Sequence, residues 1–157
     1  MLVSLLYPGH LKLILSGNRK LLHITAFQTS DTPRRHDLST FVSGGVEDCL
    51  FLDVMAPRKV FQRALANGTL APVLVWIHGG GFTAGSKTSI GSALGLINRS
   101  QMNGSDGVIY VALNYRLGAF GFMSGPAFEE QGSLPNAGLH DQRLALEWIQ
   151  QHIHKFG

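Results

Sequence analysis

A histidine and three glycines, His78-Gly79-Gly80-Gly81, follow directly on the apolar run Val73–Ile77. Glycine has no side chain to cover the backbone N–H groups at a strand end, and it accepts the positive φ angles of a sharp turn. Backbone N–H groups in such a place stabilise the negative charge that develops on a carbonyl oxygen during acyl transfer. The pattern therefore predicts an oxyanion loop. The alternative is a glycine-rich turn that only reverses the chain.

A second glycine pattern overlaps the first and has a different chemical meaning. The segment from Gly80 through Gly85 to Ser86, Lys87 and Thr88 nearly matches the phosphate-binding loop G-x-x-x-x-G-K-[ST]. The additional Ser86 moves Lys87 by one position, and the phosphate cradle depends on that spacing. We therefore expect no nucleotide site here.

The apolar and polar periods along the chain predict the elements that must position this loop. Strands are expected at 11–15 and 21–27 as a hairpin, and at 49–55, 73–77 and 107–114. Helices are expected at 92–98 and 136–156, and polar or glycine-rich connections at 28–46, 58–71 and 117–138. Buried strands without period-2 alternation, followed by an amphipathic helix, predict an α/β fold whose sheet is covered on both faces.

The composition is that of a globular protein and argues against several other classes. The 157 residues are 45% hydrophobic and 15% charged, a balance typical of a domain with a core. The net charge of +3 arises from residues 1–40, because residues 41–157 carry eight basic and eight acidic side chains. Scattered cations without an aromatic pattern do not predict nucleic-acid binding. No apolar run approaches the roughly 18 residues of a membrane span.

Three of the six asparagines lie in N-x-S/T sequons, at Asn67, Asn98 and Asn103. All three lie in loop-like stretches where a glycan would fit. The first seven residues are apolar but lack a leading positive charge, so they make a poor signal peptide. On the sequons, we expect a secreted protein.

Four ordered motifs resemble those of the type B carboxylesterases, the cholinesterase-like family. They are E-D-C-L at 47–50, V-W-I-H-G-G-G-F at 75–82, N-Y-R-L-G at 114–118, and N-A-G-L-x-D-Q with A-L-x-W-I at 136–149. The resemblance implies an α/β-hydrolase fold, present here as the N-terminal part of the central sheet with its flanking helices. It also implies hydrolysis of a small-molecule ester by a serine, an acid and a histidine, without a cofactor or metal.

By their positions in these motifs, the resemblance assigns Gly80 and Gly81 as two oxyanion donors. Removing one such donor typically costs about 2.7–4 kcal/mol of transition-state stabilisation. His78 lies within the same loop, and for it and Gly79 we predict a role in supporting the loop. The alternative for His78, a catalytic base, is not favoured by that position.

The motifs also imply one ion pair and reveal one departure from the family. Arg116 and Asp141 match a family pair that forms a buried structural salt bridge, in which losing one partner can cost about 3–5 kcal/mol. The family usually pairs the cysteine at the position of Cys49 with an upstream cysteine. This chain has a single cysteine, so Cys49 is expected to be unpaired.

The nucleophile that an oxyanion loop would serve is missing from the sequence. Hydrolases of this fold carry it in G-x-S-x-G. None of the twelve serines has a glycine both two residues before it and two residues after it. We therefore expect a divergent segment at 1–46, followed at 47–157 by the N-terminal portion of a carboxylesterase domain that stops before the nucleophile. The parent protein is predicted to hydrolyse esters, and this chain alone to be inactive. Two alternatives remain, a non-catalytic binding or adhesion protein and a truncated product without function.

Overall fold

The computed structural model describes residues 11–12, 21–26, 49–89 and 91–157, and these contain a five-stranded sheet. The strands are β1 Leu11–Lys12, β2 Leu21–Ala26, β3 Leu52–Pro57, β4 Val73–Ile77 and β5 Ile109–Leu113. Their spatial order is β1-β2-β3-β5-β4. β4 runs parallel to β5, and the other neighbours are antiparallel. The connection predicted at 28–46, and most of the segment predicted at 1–46, lie outside the described residues.

Helices flank this sheet in the described part of the chain. They are α1 Arg58–Asn67, α2 Leu94–Ser100, α3 Gly118–Phe122, α4 Pro126–Glu129 and α5 Ala137–His152, with a 3₁₀ turn at Ile153–Lys155. Two parallel strands need a crossover connection, and α2 lies in the one between β4 and β5. The long connection between β4 and α2 contains the glycine loop.

Hydrophobic cores lie on both faces of the sheet, so the fold has three layers. The larger core joins α1 and α5 to β3 and β5, with Val60 and Ile149 among its buried side chains. The smaller core lies on the opposite face, where Ile97 of α2 packs with Tyr110 and Ala112 of β5. Every residue of β5 is buried, which makes it the central strand between β3 and β4. The α/β prediction is confirmed.

Two strand predictions are confirmed with different ends. The strand expected at 49–55 begins later, because the Phe51 N–H donates to the Cys49 carbonyl oxygen at 3.0 Å in a turn before β3. It continues through Pro57, which pairs with Leu21 of β2 at the end of the ladder. A proline is tolerated at such a strand end. The predicted hairpin is confirmed for its described residues, since β1 and β2 are antiparallel.

The polar connection predicted at 58–71 is wrong, because most of it forms α1. The helix is rich in charged and polar residues, and Val60 is its one buried side chain. Val60 and Ala64 are four residues apart, as on one face of a helix, but the many polar side chains predicted a connection instead. The helix ends at Gly68, which takes the left-handed conformation and donates its N–H to the Ala64 carbonyl oxygen at 2.9 Å.

The remaining element predictions are confirmed in kind and corrected in detail. The helix expected at 136–156 is α5 with its 3₁₀ turn, the one expected at 92–98 is α2, and the connection at 117–138 contains α3 and α4. β4 was expected to be covered on both faces, but Leu74 and Ile77 are 41% and 36% exposed. The reason is that β4 is the outermost strand of the described sheet. No helix in the described ranges is long and apolar enough to cross a membrane.

An ion pair fixes α5 to the segment that follows β5. The guanidinium of Arg116 donates to both carboxylate oxygens of Asp141, Nε to Oδ2 at 2.8 Å and Nη2 to Oδ1 at 2.7 Å. The backbone N–H of Arg116 also donates to Oδ2, at 3.0 Å. The Asp141 side chain is 5% exposed and that of Arg116 is 42% exposed. The burial is therefore one-sided, and only the carboxylate depends fully on its partner.

This asymmetry predicts unequal effects of removing the two partners. Arg116→Met leaves a buried carboxylate without its cation and should lower the free energy of unfolding by about 3–5 kcal/mol. Asp141→Asn leaves a half-exposed guanidinium that water can solvate, and should cost about 1–3 kcal/mol. Urea unfolding of the two variants measures the difference.

The exposed pair Arg143–Glu147 on α5 provides the matched control. Its side chains are 76% and 49% exposed, so Arg143→Met should change the free energy of unfolding by less than about 0.5 kcal/mol. An Asp141→Asn variant that is less stable than Arg116→Met would contradict the account of one-sided burial.

Candidate active site

The chain leaves β4 at Ile77 and enters a loop with unusual backbone angles. Gly80, Gly81 and Phe82 have φ angles of 127°, 61° and 63°. Glycine adopts such angles freely, whereas for Phe82 the conformation costs on the order of 1–3 kcal/mol. Backbone strain of this kind is concentrated at active sites and ligand clamps. The loop is therefore a candidate functional site.

The loop folds back on itself so closely that two of its glycines leave no space for a side chain. The Gly80 carbonyl oxygen accepts hydrogen bonds from the N–H groups of Thr83 and Ala84, both at 3.1 Å. A Cβ atom on Gly80 would lie 1.8 Å from the Ala84 carbonyl oxygen. A Cβ atom on Gly85 would lie 2.5 Å from Nδ1 of His78. The loop is therefore one tightly packed turn whose path depends on glycine.

His78 forms the base of this turn and is 3% exposed. Its ring stacks on Tyr115, with ring centroids 4.5 Å apart and planes 20° apart. Its Nδ1 lies 2.9 Å from the Gly79 carbonyl oxygen, a contact that requires the proton on Nδ1. The Tyr115 hydroxyl donates to the His78 carbonyl oxygen at 2.8 Å. The side chain and the backbone of His78 are thus both fixed by their neighbours.

The N–H groups of Gly80 and Gly81 have no hydrogen-bond partner within the described part of the chain. Both glycines are exposed. The following residue, Phe82, is held at its carbonyl oxygen by the Gly118 N–H at 2.7 Å, and its ring lies 4.7 Å from that of Phe122. Two successive unpaired donors in a turn are chemically able to bind an oxygen that carries negative charge.

Sequence reasoning missed the contacts of Lys87, which hold the far end of the loop. Lys87, considered only for a phosphate loop, has its Nζ 2.5 Å from Oδ1 of Asp53 in β3. Its backbone N–H donates to Oδ1 of Asn114 at 2.8 Å. A signal was present in the sequence, because Asp53 interrupts the apolar run of β3 and a buried carboxylate needs a partner.

Two pKa shifts describe the electrostatics around the sheet. Burial raises the pKa of Tyr110, and the nearby carboxylate of Asp53 raises it further, as expected for a phenol in the core beside a negative charge. The hydrogen bond to Asp141 raises the pKa of Arg116, because it stabilises the charged guanidinium.

The remaining predicted residues lie apart from the loop or on the surface. Cys49 is exposed, just before β3, and its carbonyl oxygen accepts a hydrogen bond from Nδ2 of Asn114 at 3.1 Å. The three sequon asparagines are all exposed. The loop position expected for all three is wrong for two of them, because Asn67 ends α1 and Asn98 lies in α2, whereas Asn103 lies in the loop after α2. Nowhere in the described ranges do three or more histidine, cysteine, aspartate or glutamate side chains come together as metal ligands would.

A sequence profile described as the carboxylesterase family matches residues 22–157. The matched region contains the glycine loop, the Arg116–Asp141 pair and strands β3, β4 and β5. The chain belongs to the carboxylesterase family. The match begins upstream of the four motifs described above, at the second residue of β2.

Individual proteins that are similar to this chain support the family given by the profile. Carboxylesterase patB of Penicillium expansum is 55% identical over 115 residues, which are 71% of this chain and 20% of that protein. A secreted lipase of Arthroderma benhamiae is 40% identical over 116 residues, 71% of this chain and 22% of that protein. This chain therefore spans about a fifth of the length of these relatives.

A solved esterase structure agrees with the fold as well. The crystal structure of Aspergillus niger EstA is similar with a TM-score of 0.61 and 35% sequence identity, over 74% of this chain and 21% of that one. The chain thus contains part of an α/β-hydrolase fold, as its motifs implied.

The packing of the loop predicts unequal losses of stability when two neighbouring glycines are replaced by alanine. Gly80→Ala would drive a methyl group into the Ala84 carbonyl oxygen at a φ of 127°, so it should lower the free energy of unfolding by about 1–3 kcal/mol. Gly79→Ala is the control, because a Cβ atom there meets nothing within 4 Å. It should cost less than about 1 kcal/mol. Equal urea midpoints for the two variants would contradict the described turn.

Proposed function

We propose that the full-length protein containing this chain is a serine carboxylic-ester hydrolase, and that this chain supplies its oxyanion hole. The N–H groups of Gly80 and Gly81 are the proposed donors. The observation that carries the proposal is that these two N–H groups are unpaired within the described residues, in an exposed turn whose base, His78, is buried and hydrogen-bonded. Membership of the carboxylesterase family supports the reaction class.

The proposed chemistry follows from where charge appears during ester cleavage. When a nucleophile adds to the ester carbonyl carbon, the carbonyl oxygen becomes an oxyanion. Donors that are already in place stabilise that oxygen without having to reorganise, and losing one costs about 2.7–4 kcal/mol, or roughly 10²–10³ in kcat. A tightly packed turn is suited to this role because its N–H groups cannot relax away from the developing charge.

His78 is proposed to support the loop and not to transfer a proton. Its Nδ1 proton is engaged with the Gly79 carbonyl oxygen, and its ring is buried against Tyr115 and Gly85. A general base must reach the proton that it abstracts, within about 2.6–3.2 Å. A buried, stacked ring beneath the turn is poorly placed to reach a substrate.

The nucleophile, the acid and the base are proposed to lie outside these 157 residues. None of the twelve serines stands in G-x-S-x-G, and the chain spans about a fifth of the length of its relatives. We likewise keep the division of the chain at residue 47 as a prediction. The ester that the full-length protein accepts depends on pockets that this part of the fold does not define.

The proposal predicts different activities for two forms of the protein. The full-length protein should hydrolyse a simple aryl ester such as p-nitrophenyl acetate, and an organophosphonate that modifies active-site serines should abolish that hydrolysis. The purified 157-residue chain should show no turnover above the buffer rate, because none of its serines stands in G-x-S-x-G.

Two outcomes would overturn this proposal. Phosphonate-sensitive hydrolysis by the 157-residue chain would show that a nucleophile is present within it. A folded full-length protein that neither hydrolyses aryl esters nor reacts with the phosphonate would favour the alternative of a non-catalytic binding protein on the same scaffold.

We further propose that the protein is secreted and glycosylated at Asn67, Asn98 and Asn103. Exposure of all three sequon asparagines supports the proposal, as does the relative named a secreted lipase. Expression through the secretory pathway of a yeast should give a product whose mass falls on treatment with an endoglycosidase. Replacing each asparagine by glutamine should remove one step of that mass shift. A secreted product with an unmodified peptide mass would contradict the proposed glycosylation.

A further inference from the structure

A largely buried lysine, Lys87, fixes the returning end of the glycine loop to the sheet. The Lys87 ammonium lies 2.5 Å from Oδ1 of Asp53, and the two side chains are only 16% and 6% exposed. Charges at this depth persist when they are paired, because burying an unpaired ion costs several kcal/mol. Lys87 lies in the connection between β4 and α2, whereas Asp53 lies in β3. The pair therefore joins the loop to a strand that is distant in sequence.

The backbone of Lys87 forms a second attachment. Its N–H donates to Oδ1 of Asn114 at 2.8 Å, at the end of β5. Asn114 is itself anchored to the segment before β3, through its Nδ2 to the Cys49 carbonyl oxygen at 3.1 Å and its N–H to the Phe51 carbonyl oxygen at 2.9 Å. Lys87 is thus held at the side chain by β3 and at the backbone by the residue that follows β5.

The attachment at Lys87 lies two residues from Gly85, where the turn also leaves no space for a side chain. A Cβ atom on Gly85 would lie 2.5 Å from both the Gly79 carbonyl oxygen and Nδ1 of His78. On the other side, the Ala84 N–H bonds to the Gly80 carbonyl oxygen. A shift of residues 85–87 away from the sheet would therefore release the contacts that fix Gly80.

We propose that Lys87, acting through Asp53, is a positioning residue for the oxyanion loop. The inference rests on the proposed function in assigning Gly80 and Gly81 as donors. The loop has two fixed ends: the stack of His78 on Tyr115 holds its start, and the ion pair holds its return. The donors lie between these ends, so their positions depend on both.

Amide hydrogen exchange tests this inference without any need for catalysis. Lys87→Met removes the ammonium and keeps most of the apolar stem. The double variant Asp53→Asn, Lys87→Met also removes the buried carboxylate charge, which separates loss of the attachment from the cost of leaving a buried carboxylate without the lysine cation. Arg143→Met, which breaks the exposed pair on α5, is the matched control.

In the double variant, the amides of Thr83, Ala84 and Lys87 should exchange at least about tenfold faster than in the unchanged protein. The amides of β5 should exchange at the unchanged rate, because the core around that strand is intact. Arg143→Met should alter neither group. The single variant Lys87→Arg, which keeps a cation opposite Asp53, should retain part of the loop protection.

Two results would overturn the inference. Loop amides that exchange in the double variant as they do in the unchanged protein would show that the pair does not hold the turn. Equal acceleration of the loop and of β5 would show that the pair supports the whole fold and not the loop in particular. Both results are independent of whether the full-length protein hydrolyses esters.

A kinetic measurement then connects the loop to the reaction. In the full-length enzyme, the double variant should lower kcat by about tenfold or more with KM within about twofold, because misplaced donors weaken binding of the transition state more than of the ground state. A rise in KM with unchanged kcat would contradict a positioning role.

Discussion

The structure around the site depends on a steric constraint: the chain must reverse immediately after β4, in a space that admits no side chain. A Cβ atom on Gly80 would overlap the Ala84 carbonyl oxygen, and one on Gly85 would overlap the ring of His78. The turn closes only because these positions are glycine. Its closure uses the Gly80 carbonyl oxygen as an acceptor and leaves the N–H groups of Gly80 and Gly81 without a partner among the described residues. The same geometry that makes the turn possible also leaves the two donors available.

The rest of the fold keeps this turn in one place. β5 is buried along its whole length, and the residues that follow it hold the loop at both ends. Tyr115 supports His78 at the start of the loop, and Asn114 receives the Lys87 N–H at its return. Arg116, the next residue, is fixed by Asp141 of α5. Three consecutive residues therefore link the turn to the sheet and to the long helix, and stability of the core and geometry of the loop are coupled at this point.

The sequence allowed the central parts of this arrangement to be predicted, because they depend on strong local signals. Residue type alone indicated the apolar runs of β4 and β5 and the glycine turn after β4. The ordered motifs indicated the family that the profile match shows. Helix α1 was missed because its many charged and polar residues are also typical of a connection. The exposure of β4 was missed because residue type does not reveal a strand's place in the sheet. The attachment at Lys87 was missed because it joins positions 34 residues apart, and no local pattern encodes such a pairing. The donor roles of Gly80 and Gly81 stay predictions.

The central claim is that Gly80 and Gly81 donate their N–H groups to the oxyanion of an ester in the full-length enzyme. The most direct measurement is a crystal structure of that enzyme after modification by a phosphonate, whose phosphonyl oxygen takes the place of the oxyanion. That oxygen should lie within about 2.7–3.1 Å of the backbone nitrogens of both glycines. A phosphonyl oxygen that is bound by other groups, with the two glycine N–H groups directed elsewhere, would contradict it.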